Sequence, residues 1–555
     1  METSPPASKS GSWWRSWLCL VALLAAGTAI AHLLWKPKPR PEGISRSPSN
    51  PALASIRESA RQIDRDFRQS WNQKKLEPVS RADELQIARR LALALTGTIP
   101  SLEEIRAFEA QPAEQRMDWW LTRLLADPRS ADYLAERLAR AYVGTDGGPF
   151  IVYRRRRMVR WLGEQLAAGR PYHEMVREMI AAEGLWTSNP AANFITATID
   201  QNDQKEGPDQ VKLAIRTTRA FLGVRIDCVQ CHDDKFGDQW KQADFHQLAA
   251  FFAPAEMKLT GVRDNLERTH EVRFRGEREE ETVLPVVPFS GELMPTSGPP
   301  RERLAVWTTH PENRPFARAA VNRAWAVMFG RPLVEPIDDI PLDPEELPPG
   351  LELLASDFIE HDFDFQRLLR VIAATEVFQL DSRSADPDRP VTESQEHHWA
   401  AFPLTRLRPE QVAGSVVQAA YLDTIDEAAP FLMQLAKFGQ RNDFVTRYGD
   451  PGENEFAEQS GTIPQRLLMM NGKMVRERID PKAAANAVNR IAGLAPDAAT
   501  AIETAFLCVF SRRPTQSEAE HFVSQLDAVD GNERKRLLQD LYWSLFNATE
   551  FSWNH

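Results

Sequence analysis

The stretch Phe316-Ala317-Arg318-Ala319-Ala320-Val321-Asn322-Arg323-Ala324-Trp325-Ala326-Val327-Met328-Phe329-Gly330 shows the pattern that recurs along most of this chain. Phe316, Ala320, Val321, Ala324, Trp325 and Met328 fall at helical spacing and form one apolar face, and Gly330 supplies the stop. The same grammar appears upstream. Leu85, Ala88, Leu91, Ala92 and Leu95 make a stripe closed by Thr96-Gly97, and Ser101 with Glu104 occupies capping-box positions ahead of Ile105 and Phe108. Further amphipathic runs cover 119–125, 133–142, 159–180, 351–358, 365–378 and 409–420. Near the end, Pro514-Thr515-Gln516-Ser517-Glu518 repeats the pattern of 100–104, which either an internal duplication or shared helix-start grammar would produce. The pattern breaks between about 259 and 300, where Val272, Phe274, 283–287 and Phe289 lie among prolines and predict a short β or extended insert. The expected fold is mainly α: two helical domains with that insert, preceded by one N-terminal transmembrane helix.

At 555 residues the chain exceeds one core, and the break near 300 divides it into expected domains at 54–300 and 301–555. Its 43% hydrophobic and 26% charged content is that of an ordinary globular protein. A net charge of -11 argues against a nucleic-acid binder. Four cysteines exclude a disulfide scaffold, and Cys508, among Ala505, Phe506, Leu507, Val509 and Phe510, reads as a core residue. A polar tail, 1–16, precedes an apolar segment, 17–35, of about the length a bilayer requires, flanked by Trp13, Trp14, Trp17 and Trp35. Ala29-Ile30-Ala31 resembles a signal-peptide cleavage site, but the length and the indoles favour a retained anchor. Residues 36–53 are proline-rich and read as a tether.

The most specific chemistry lies in Cys228-Val229-Gln230-Cys231-His232. C-x-x-C-H is the attachment signature of c-type haem: both sulfurs bind the macrocycle and the histidine becomes the proximal iron ligand. A helix over about 209–222 is expected to deliver this motif at its end. Met294 is the expected sixth ligand, with His246 and Met257 as other candidates. Two further readings stay open. One is a metal clip of Cys228, Cys231, His232 or His246, and Asp233 or Asp244; the other is a disulfide or redox-inert pair that shapes a turn. Lys36, Lys38 and Arg40 alone would place the body in the cytoplasm, whereas the haem motif requires the exported side. The motif outweighs that small charge difference, so the expectation is a single-pass protein of the cytoplasmic membrane with its body on the periplasmic or exported side.

Weaker candidates remain. Glu335, Asp338 and Asp339 form an acidic knot with the composition to hold a cation or act on a glycan, although such groups are usually loop residues. Asn322 and Arg323 beside Trp325 suit a ligand, although Arg323 is expected to pair with a buried carboxylate. Arg154 to Arg157 with Arg160 read as a solvated basic face, and His397-His398 as surface residues. The sequence has no phosphate-binding glycine loop, nucleophile elbow or H-E-x-x-H.

Together the motifs resemble a known family. Phe221-Leu222-Gly223-Val224, the Cys228–His232 run, Trp240, Phe245 and 248–252 resemble the first domain (DUF1549) of large secreted planctomycete proteins of unknown function, often encoded with cytochrome-c-like modules. Phe316-Ala317-Arg318, 321–325, 329–339, 467–471 and 541–555 resemble the adjoining domain (DUF1553). The resemblance implies an exported, mostly helical protein of undetermined activity. Family members often read C-x-x-C-H-x-H-P, whereas Asp234 and Lys235 stand here in place of the second histidine and proline. The favoured expectation is a cytochrome-like component exchanging electrons with a partner oxidoreductase. The competing one is a non-redox accessory or scaffold protein of extracellular polymer degradation, working beside a secreted hydrolase.

Overall fold

Arg314–Phe329 is a helix with Pro315 in its first turn and Gly330 at its end, where a φ of 82° turns the chain left-handed and the Gly330 N–H donates to the Ala326 carbonyl. A side chain at Gly330 would collide with Thr405, so this position admits only glycine. The helix differs from expectation in one respect: every residue from Phe316 to Phe329 is buried, not one face alone. Its polar residues are tolerated because other segments supply partners. Arg318 donates to Glu352 (2.7 Å) and to the Leu342 carbonyl (3.0 Å). Asn322 donates to the carbonyls of Val334 (3.0 Å) and Ile337 (3.2 Å) and accepts from the Val334 N–H (3.0 Å).

The computed structural model describes residues 48–147, 153–199, 207–234, 240–386, 388–426, 443–450, 452, 456, 461–483 and 486–555. The tail and the apolar segment at 17–35 lie outside these residues, as does most of the tether. No helix among the described residues is long and apolar enough to cross a membrane. The last residues assigned to the tether are helical: Ser49 caps a helix, Asn50–Lys74, with Pro51 in its first turn. Its stripe Ile56, Ala60, Ile63, Phe67 and Trp71 is buried, and Phe67 stacks on Trp325 of the central helix at 5.8 Å.

The molecule is mainly helical. One hydrophobic core runs from Ile56 to Phe402, with Leu507 added, and so crosses position 300; a second gathers other residues between 407 and 551 together with Leu93 and Ile99. Glu84–Thr96 lies against both cores, Leu91 and Leu95 facing the first and Leu93 the second. It ends at Gly97, and the Ser101–Glu104 capping box forms as expected, with both reciprocal bonds present. Thr515 and Glu518 form the same box at the start of Gln516–Asp527. Cys508 is buried, and burial pushes its thiol up to about 12. The expected insert is two small antiparallel hairpins, β1 (Ala255–Lys258) with β2 (Gly261–Asp264) and β3 (His270–Val272) with β4 (Glu281–Val283).

Candidate functional site

The approach to the cysteine motif is Gln210–Thr217, capped by Asp209 and extended by a wide π-turn, Thr218–Leu222. Gly223 ends it with φ 62°, and Ile340 packs so closely there that any β-carbon would lie 2.8 Å from its Cδ1. The helix therefore stops short of the motif, whose first three residues lie in a separate 3-10 turn, Asp227–Gln230. Val229 is completely buried and pins the turn to the core. Cys228 and Cys231 flank it as free, exposed thiols.

His232 is only partly covered, and its Nδ1 lies 2.8 Å from the Asp233 carbonyl. A carbonyl can only accept, so Nδ1 carries a proton, and in the neutral ring Nε2 is the nitrogen that holds the lone pair. The turn is braced from behind. The Gln230 carbonyl accepts from Gln242 Nε2 (3.0 Å) and from His246 Nε2 (3.1 Å). His246 Nδ1 in turn lies 3.1 Å from His270 Nε2, and His270 Nδ1 lies 2.7 Å from Gln210 Nε2. Because the chain ends on an acceptor, it has one consistent direction: Gln210 donates to His270, His270 to His246, and His246 to Gln230. Both histidines are buried and neutral, with burial the first cause that lowers each pKa, His270 to about 4.

These contacts correct the metal-clip reading. Both ring nitrogens of His246 are engaged, Asp233 Oδ1 accepts from the Gln242 N–H (2.8 Å), and Asp244 caps the Lys241 N–H (2.8 Å). Among the described residues no group of three or more His, Cys, Asp or Glu is placed to hold a metal ion. Met294, the expected sixth ligand, is partly buried against the main core. The 530 Å³ cavity described below is not lined by Cys228, Cys231 or His232. As a donor set these three still fit a haem: two accessible sulfurs, and an imidazole whose second nitrogen is oriented by a carbonyl.

A cavity of 530 Å³ lies behind the motif, between the 210–225 segment and the 332–338 loop. It brings together Lys212, Arg216, Arg219, Arg225 and Arg323 with Glu335 and Asp338. The acidic knot does not converge on a cation. Arg225 holds Asp338 (Nε–Oδ1 2.9 Å), and Arg219 reaches both Asp338 (3.4 Å) and Asp227 (2.6 Å), the neighbour of Cys228. Burial raises the pKa of Asp227, but Arg219 more than offsets it and holds the carboxyl below its usual value. Glu335 is exposed and faces Arg331, while burial raises the Asp339 carboxyl. Arg323 lines the same cavity without the expected carboxylate. It is only 8% exposed, and its Nε has no partner.

Sequence reasoning missed His270, Gln210 and the basic lining of this cavity. Lys212, Arg216 and Arg219 lie four and then three residues apart, which puts them on one helical face and was a readable signal. A family model described as a protein of unknown function (DUF1549) matches residues 62–257, and a second, also of unknown function (DUF1553), matches 300–526. No curated protein and no solved structure matches the chain. The motif lies within the first match, and the cavity takes side chains from both.

Proposed function

Because the chain belongs to the family in which a DUF1549 domain is followed by a DUF1553 domain, neither with a stated activity, we propose a role from its own side chains: an exported redox component carrying a covalent c-type haem. The observation that supports this is the state of His232. Its Nδ1 proton is committed to the Asp233 carbonyl at 2.8 Å, which leaves Nε2 free beside two exposed, unbonded thiols. Cys228 and Cys231 would tether the macrocycle, His232 would hold the iron from one side, and the buried Val229 and the braced Gln230 carbonyl would keep the turn from shifting. Bound there, the haem supplies one-electron transfer at the surface, within reach of a partner oxidoreductase. The segment at 17–35 would hold the body on the exported face of the cytoplasmic membrane, the side on which such haem is attached.

One competing reading has an observation in its favour. The turn is already braced by Gln242 and His246, so a non-redox accessory protein of extracellular polymer degradation could use it purely as structure. Haem staining of denatured, gel-separated protein decides between them. Full-length protein made in a host competent in haem attachment is expected to stain, and Cys228→Ala with Cys231→Ala to abolish the stain. Unstained wild-type protein sinks the redox reading.

A further inference from the structure

The cavity behind the motif contains five cations, and most have a carboxylate at hand. Lys212 has Asp209 (3.7 Å), Arg219 has Asp227 (2.6 Å) and Arg225 has Asp338. Arg323 has none among the described residues. It is nine-tenths buried, its Nε meets no acceptor, and it makes no hydrogen bond or ion pair among the described residues. The nearby Tyr142 and Tyr172 hydroxyls are occupied with each other at 2.7 Å. A guanidinium nine-tenths buried without an anion is costly, and folds ordinarily remove such a group or pair it.

We propose that this cavity binds a small molecule bearing an oxyanion on a compact apolar body, with Arg323 as the partner of the oxyanion. The planar fork of a guanidinium matches the two oxygens of a carboxylate or phosphoryl group. Ile215, Ala220, Pro336 and Ile337 supply an apolar wall, and the volume of 530 Å³ is within the range of small-molecule sites. The wall is held in place from the same helix: Asn322, next to Arg323, bonds to Val334 and Ile337. The ligand would touch side chains from both matched domains. This inference is independent of the haem proposal.

The test is thermal unfolding of the full chain in chloride, benzoate or inorganic phosphate at equal ionic strength. In chloride, Arg323→Met is expected to melt about 2 °C or more above wild type, because it removes an unpaired buried charge. Benzoate or phosphate is expected to raise the wild-type melting temperature saturably. The variant should not respond, and Arg323→Lys, which keeps the charge but loses the fork, should bind at least about tenfold more weakly. A response to benzoate alone identifies a carboxylate ligand, and to phosphate alone a phosphoryl one; either supports the proposal. Arg323→Met melting below wild type in chloride, no response of wild type to either anion, or equal responses of both proteins would overturn it.

Discussion

Two groups of buried arginines in this molecule are treated differently. Where the two hydrophobic cores meet, each buried arginine is tied to several acceptors. Arg90 donates to the carbonyls of His555 (2.8 Å), Phe378 (3.1 Å) and Leu380 (2.6 Å), with its guanidinium 3.7 Å from the centre of the Phe402 ring. Arg89 reaches the Val509 and Phe551 carbonyls, and Arg137 and Arg408 share Glu410. In the cavity behind the cysteine motif, Arg323 has none of this. The contrast separates arginines that complete the fold from one left incomplete by it, and only the second kind is informative about function.

The largest effect expected of breaking this comparison is at Glu410. Burial raises its pKa, but Arg137 and Arg408 overcome that and hold it low. Glu410→Gln removes the buried anion that Arg137 and Arg408 share and should cost about 3 kcal/mol in denaturant unfolding. A loss no larger than that of an exposed substitution would mean the seam is solvated. Arg90→Met strips three carbonyls of their donor and should cost about 2 kcal/mol, read the same way.

The histidine chain behind the motif gives a pH dependence. His270 titrates at about 4 in the folded protein against 6.5 for the ordinary side chain, so between these values the unfolded chain binds more protons. Its contribution is therefore complete above about pH 6.5 and lost as the pH falls toward 4, on the order of 2 kcal/mol. His270→Gln should flatten that limb of the stability–pH curve, and parallel curves for variant and wild type would refute the assignment. Arg323→Met is the smallest effect, about 1 kcal/mol, and the only one of opposite sign.

Local signals were legible in the sequence: the Ser101–Glu104 box, the stops at Gly97 and Gly330, and the burial of Cys508 each rest on a few neighbouring residues. What escaped depended on distant partners. The helix Asn50–Lys74 hides its stripe among Arg57, Glu58, Arg61 and Arg65, so composition masked periodicity. The central helix read as amphipathic because Arg318 and Asn322 look solvent-facing until Glu352 and the 334–337 loop are brought to them. Position 300 marks a change of sequence pattern, while the hydrophobic packing continues across it to Phe402. At the motif the chemistry was readable, but the bracing was not: His270 is 24 residues from His246 and on a different element.

The claim on which the functional account rests is that Cys228, Cys231 and His232 are left free to receive a cofactor. Intact-mass measurement of the full chain, made in a haem-attaching host, tests it most directly. The account predicts a mass increase of one haem in wild type and none in the Cys228→Ser, Cys231→Ser double variant. A wild-type mass equal to the bare polypeptide would contradict it.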